Sequence, residues 1–285
     1  DDQLIAYFYA DFFPRAGKYG HAAAFPLISG RVIGENGAYS LPVASIVANL
    51  NPPLNGKPSL LAHDDVVTMF HEFGHIMHQT LTRAPYATLS GSSVAQDFVE
   101  APSQMLENWP WSANILNSLS GHYLDHSKKL PADLLEKMIA AREFNQGYNY
   151  TKQLLYALYD MTLHTAGSEL QDVNQIYLDL YKQIIGVEPL AGQQFPASFG
   201  HLMGGYDAGY YGYLWSEVYA QDMFSMFPSD NLMNPIVGYR YRKIILEKGN
   251  QTEALDLLKE FLNREPNADA FFRKLHIQPD DQPPK

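Results

Sequence analysis

Between positions 66 and 78 the chain reads VVTMFHEFGHIMH, and within that run His71, Glu72 and His75 form the pattern HExxH. Four residues of α-helix turn through about 400° and rise about 6 Å, so a helix here stacks the two imidazoles on one face, where both reach a single cation. Glu72 stands about 100° round the helix, beside such a cation and not on it. Two imidazoles that fix a zinc, which brings the pKa of bound water to about 7, and a neighbouring carboxylate that takes the proton make a hydrolytic site. The competing reading is a pair of core histidines on a buried helix, which the spacing alone does not exclude.

A catalytic zinc takes three protein ligands and keeps one position open, whereas a structural zinc is closed by four. The chain has no cysteine, so the third donor must be another histidine or a carboxylate. His78 lies on the same helical face but about 10 Å of rise from His71, and reads as a structural residue or a hydrogen-bonding support for a ligand. It does not complete HExxHxxGxxH either, because it occupies the place of that glycine. Glu100, in QDFVEAPSQMLENW (96–109), is the better candidate: it interrupts an apolar amphipathic stretch, where an unpaired carboxylate is costly. Asp97 and Glu107, on either side of it, are candidates to orient the ligands by hydrogen bonds, against the plainer reading of solvated or capping acids.

The elements that must position these groups change character along the chain. Residues 3–12 suggest a strand, and 25–50 a β-hairpin or meander in which RVI (31–33) and VASIVA (43–48) flank the turn signal Glu35-Asn36-Gly37. After a Pro/Asn/Gly stretch at 51–58, helical periods cover 65–82, with Asp64 or Asp65 as N-cap, then 98–109, 133–145, 147–166, 172–186, 205–226, 235–248 and 251–263. This is a mainly α, or α+β, pattern and not an alternating βαβ one. With no repeat and no linker composition, the chain reads as one domain, 1–60 mostly β and loops and 61–285 mostly helical.

With 285 residues and 46% hydrophobic content the chain can bury a sizeable core. A formal charge of −11, spread along the sequence, repels a phosphate backbone, so nucleic acid is not expected as a partner. No stretch approaches the roughly 20 apolar residues of a membrane span. The first residues carry neither an initiator Met nor a basic leader, so the chain reads as a piece of a longer one, with a cytoplasmic location expected.

The segments HEFGHIMHQTL and DFVEAPSQMLENW, with FPRAGKYGHAA upstream and FGHLMGGYDAGYYGYLWSEVYAQDMF downstream, together resemble the M3 family of zinc oligopeptidases over nearly the whole chain. The resemblance implies a zincin-like catalytic domain, with a small N-terminal antiparallel sheet followed by a helical bundle. It implies one Zn2+ held by His71, His75 and Glu100, with Glu72 as general base. By themselves Tyr206, Tyr210 and Tyr213, at i, i+4 and i+7, read as core packing. The family instead places a histidine and tyrosines from a mobile Gly-rich loop and its helix toward the zinc. That assigns oxyanion stabilisation first to Tyr213 and His201, substrate positioning to Tyr206, a less defined part to Tyr210, and hinges to Gly204 and Gly205. Residues 43–50 are expected to form an edge strand that binds extended peptide by strand addition. Short peptides are the implied substrates, cut at internal bonds or, in one branch of the family, released as C-terminal dipeptides. A peptide-binding module without catalysis is the reading from a different class. Members of the family also have an N-terminal helical region forming the other wall of a channel, and that region is the implied partner of this chain.

Overall fold

A computed structural model describes residues 3–167 and 172–277. Strands β1 (Tyr7–Asp11), β2 (Ala23–Ile28) and β5 (Val43–Val47) form a sheet of order β1-β5-β2. β5 alternates half-buried and buried residues, and its Ala44 and Ile46 face a helix. Two expectations are corrected here. The sheet is mixed, because β5 runs parallel to β1, with Tyr7 opposite Val43, and antiparallel to β2. The Glu35-Asn36-Gly37 turn joins Arg31–Ile33 (β3) not to 43–48 but to Ala38–Ser40 (β4), in a separate two-stranded ribbon. Parallel pairing needs a long crossover, and the excursion through β2, β3 and β4 supplies it. Lys18, from the FPRAGKYG block, ties the turn after β1 to the end of β5: its ammonium donates to the carbonyls of Asp11, Phe13 and Ala48.

Helix α1 (His63–Leu81) starts slightly earlier than its acids suggest. Asp65 is not the cap; it sits in the first turn and accepts the Ala62 N–H at 2.9 Å, a place where negative charge is also favoured by the helix dipole. The helix is held on two sides. Met69 and Ile76 pack on Ala44 and Ile46 of the sheet. Phe70, Met77 and Leu81 pack against a larger cluster that includes Phe98, Met105, Met223, Ile245, Leu258 and Phe261. Ile76, fully buried, contributes about 1.5–3 kcal/mol of transfer free energy and the half-buried Met69, Phe70, Met77 and Leu81 a part of that each, so the position of α1 is strongly specified.

The other helices are α2 (Ala101–Leu106), α3 (Ala113–Leu119), α4 (Ala132–Glu143), α5 (Gln146–Thr165), α6 (Val173–Ile185), α7 (Gly212–Phe224), α8 (Pro235–Tyr241), α9 (Ala254–Leu262) and α10 (Asp269–Lys274). A π-helical turn, Arg242–Leu246, continues α8. The helix expected over 98–109 is shorter: Glu100 stands at the N-cap position of α2 and not mid-helix, and Pro102 follows in the first turn. The helix expected over 205–226 begins only at Gly212.

The chain divides into two compact units, Asp1–Lys137 with Ser216–Lys285, and Met138–Trp215. Both divisions fall inside helices, α4 and α7, so neither carries the Pro/Gly-rich composition by which a linker would show in the sequence. The second unit is built on α5 and α6, whose Leu155, Tyr159 and Tyr177 cluster with Phe199 and Tyr210. Asp172 caps α6 by accepting the N–H groups of Asn174 and Gln175, and Gly186 closes it in the left-handed region at φ 80°. Among the described residues no helix is long and apolar enough to cross a membrane.

Candidate active site

Helix α1 presents His71 and His75 on one face, and α2 brings Glu100 to them from its N-terminus. Glu100 Oε2 lies 3.2 Å from His71 Nε2 and 3.1 Å from His75 Nε2. One donor atom from each of the three residues lies within 4.8 Å of the others, which makes them a candidate metal site. Ligands at about 2.0 Å from a tetrahedral zinc stand about 3.3 Å apart, so the donor set fits such an ion in chemistry and in spacing. Burial pushes the Glu100 carboxyl up, but hydrogen bonds and charge from the two histidines override it and hold it well below the usual carboxylate range. Burial likewise works to lower His71, and there the carboxylates of Glu100 and Glu107 prevail and raise it to about 10. The cage is thus built to hold positive charge, as a proton or as a cation.

The close approach of the two helices rests on Gly74, which sequence reasoning overlooked. A Cβ at this position would lie 2.5 Å from Ser103 Cα and 2.9 Å from the Pro102 carbonyl oxygen, so the α2 backbone fits only against a glycine. The signal was present, since a glycine inside a long helix is unfavourable by about 1 kcal/mol and needs a packing reason. Ser103 was also missed. Its hydroxyl donates to the Glu100 main-chain oxygen at 2.8 Å and to Glu100 Oε2 at 3.0 Å, which fixes the carboxylate's rotamer.

Of the two acids proposed to orient the ligands, the structure brings Glu107 to His71, with Oε1 2.7 Å from Nδ1. Asp97 instead uses its main-chain oxygen, which accepts the Ser216 hydroxyl at 2.7 Å. Glu72 is buried beside the histidines, its Oε2 without a hydrogen-bond partner, and burial raises its pKa. An unpartnered carboxylate oxygen next to a cation site is placed to receive a proton. His78 is fully buried and outside the cage; neither ring nitrogen has a hydrogen-bond partner, so it supports no ligand in that way.

The second unit gathers the other residues read from the sequence. The His201 ring centroid lies 5.6, 5.1 and 5.8 Å from those of Tyr206, Tyr210 and Tyr213, and Tyr206 stacks on Tyr213 at 4.9 Å. They cluster without sharing a helix: 207–211 are turns, with Gly205 at φ 89° and Ala208 at φ 54°. Tyr210 is buried, its hydroxyl donates to Gln153 Oε1 at 3.0 Å, and burial is the main cause that raises its pKa to about 12.

A helix bearing HExxH, a glutamate from the next helix and a small sheet at the helix's back define a metallopeptidase of the zincin-like class. The chain belongs to peptidase family M3, whose model matches residues 1–277. It is 44% identical over 283 residues to the thimet-like oligopeptidase of Dictyostelium discoideum, covering 97% of this chain and 41% of that one. It is 36% identical over 271 residues to the dipeptidyl carboxypeptidase of Salmonella typhimurium, covering 93% and 39%. The chain therefore spans about two-fifths of the length of these relatives. Among solved structures, metallocarboxypeptidase 1 of Trypanosoma cruzi shares the fold, with a TM-score of 0.66 at 13% identity over 94% of this chain and 54% of that one.

Proposed function

We propose that this chain carries the catalytic centre of a zinc-dependent oligopeptidase that hydrolyses internal bonds of short peptides. The observation that supports it most is the cage of half-buried His71 and His75 with buried Glu100, and the unpartnered Oε2 of Glu72 beside it. His71 and His75, through Nε2, and Glu100, through Oε2, would hold the ion. Bound there, zinc would supply Lewis acidity, making water acidic enough to be deprotonated near neutral pH and polarising a carbonyl. Glu72 takes the proton from the attacking water at its free oxygen and returns it to the leaving amine. Glu107 keeps the His71 ring in the tautomer whose Nε2 faces the cage.

His201 and Tyr213 are proposed as hydrogen-bond donors to the developing oxyanion, and Tyr206 as a donor to the substrate. These three assignments rest on the family resemblance and on the chemistry of phenol and imidazole donors. Tyr210, with its hydroxyl committed to Gln153, is proposed to support that cluster by packing. Peptide pairing with β5 is ruled out by its central place between β1 and β2. The strand proposed for it is β2, which contacts α1 and has no partner on its outer edge among the described residues. Selection of short substrates is assigned to the further helical region of the family, so these residues alone are expected to select peptide length weakly.

The relation to a dipeptidyl carboxypeptidase supports a second reading, the release of dipeptides from C-termini. Cleavage of a random peptide pool, read by mass spectrometry alongside metal stoichiometry, tests both. Internal cuts that persist when the C-termini are amidated support the oligopeptidase, and products confined to free C-terminal dipeptides support the alternative. Glu72→Gln is expected to keep the zinc and to lower turnover by about 10²–10⁴-fold. Unchanged turnover in that variant would remove the proposed general base, and normal peptide binding without cleavage in the wild type would leave a binding module.

A further inference from the structure

We propose that Asp160 is a positioning residue that sets the conformation of the 206–210 loop, and through it the arrangement of Tyr206, Tyr210 and Tyr213 around His201. The inference rests on the catalytic part given above to that cluster, and lies wholly within the second unit. Asp160 is fully buried in the C-terminal third of α5, and no Lys or Arg pairs with it among the described residues. Its carboxylate oxygens instead collect main-chain donors from far along the chain. Oδ1 accepts the Ala208 N–H at 3.0 Å and Oδ2 accepts the Tyr210 N–H at 3.0 Å. His164, one helical turn on, closes over the same anchor: its Nδ1 lies 2.9 Å from Oδ1, 2.8 Å from the Asp160 main-chain oxygen and 3.3 Å from the Ala208 nitrogen.

A buried carboxylate without a cation is costly, and an apolar side chain would serve α5 packing better. What this group provides is a backbone geometry that the loop's own sequence disfavours. Ala208 is held at φ 54°, a region in which a residue bearing a Cβ is strained unless its surroundings impose it. The two captured N–H groups flank Gly209, so the carboxylate grips the loop on both sides of its apex. Gly205, at φ 89° with nothing near its missing Cβ, lies outside the grip. The anchor therefore divides the block: Tyr210 and Tyr213 follow a segment fixed to α5, and only the part up to Tyr206 is left to pivot at Gly204-Gly205. The hinge drawn from the two glycines alone becomes a hinge with a fixed stop.

The test is Asp160→Asn in the whole chain, read by amide hydrogen exchange together with steady-state cleavage of an internally quenched short peptide. Asn keeps the shape and one acceptor but turns an N–H2 toward a donor. Exchange at 206–210 should rise at least about tenfold while α1 and α2 stay protected. The kcat should fall about 10- to 100-fold, more than KM changes, with metal stoichiometry intact. Adding Ala208→Gly, which removes the strain the anchor imposes, should restore part of both readouts. A loop that loosens without loss of turnover, or turnover lost with loop exchange unchanged, overturns the proposal. Should Asp160→Asn fail to fold, His164→Gln removes the ring that contacts both the carboxylate and the Ala208 nitrogen and keeps the carboxylate. Its exchange and kcat must then shift together and less far, and movement of one alone overturns the proposal equally. Tyr213→Phe and His201→Ala separate the two levels. Full turnover in both, with Glu72→Gln inactive, removes the catalytic part of the cluster itself, whereas loss in both leaves only the anchor at stake.

Discussion

Glu100 and Glu107 approach His71 from its two ring nitrogens, and this division of labour sets what each substitution does. Loss of Glu100 removes a donor. Loss of Glu107 leaves all three donors and frees the ring to rotate and change tautomer. Glu107→Gln is therefore expected to weaken zinc binding by about 10–100-fold without abolishing it, measured by competition with a chelator. His78 makes a different contribution. Burial lowers its pKa to about 3, so the folded state keeps it neutral while the unfolded chain protonates it near 6.5. Stability linked to His78 is full above about pH 6.5 and is lost as pH falls from there toward 3, at up to about 1.4 kcal/mol per pH unit. His78→Leu should flatten that slope in urea unfolding between pH 7 and 5, and an unchanged slope would place the acid sensitivity elsewhere.

At the level of elements, the α1–α2 contact carries the site, and Gly74→Ala is its test. In an open helix this change stabilises by about 1 kcal/mol. Here the added methyl meets the α2 backbone, so a loss of about 1–3 kcal/mol is expected, with weaker zinc binding because Glu100 moves with α2. Stabilisation instead would show that the helices part without consequence. Much of this was legible beforehand. The four-residue spacing of His71 and His75 is a property of any helix, and a carboxylate in an apolar stretch has few uses, so the cage followed from local rules. Glu107 and Asp97 were indistinguishable because which acid reaches His71 depends on where α2 stops and a turn begins. The tyrosine spacing is helical through the turns at 207–211, while the competitor for those backbone N–H groups, Asp160, lies about fifty residues earlier. The strand pairing failed for the same reason: β5 is a strand by its own residues, but its partners are fixed by the crossover between them.

For the whole molecule, the larger unit is assembled from two separated stretches of chain, before Lys137 and after Ser216. All three candidate metal donors come from the first stretch. The cluster that backs α1 and α2 draws Met223, Ile245, Leu258 and Phe261 from the second. A chain ending at Trp215 would thus retain His71, Glu72, His75, Glu100 and Glu107 and lose the surface they are mounted on. It is expected to unfold without a cooperative transition and to retain no stoichiometric zinc after dialysis, and tight metal retention by it would show that the sheet alone suffices. Synthesis proceeds from the N-terminus, so the donors leave the ribosome long before their supporting wall exists. On the proposed reading, loading with the ion would be a late event, because the surface that mounts its donors is completed only when the helices after Ser216 arrive.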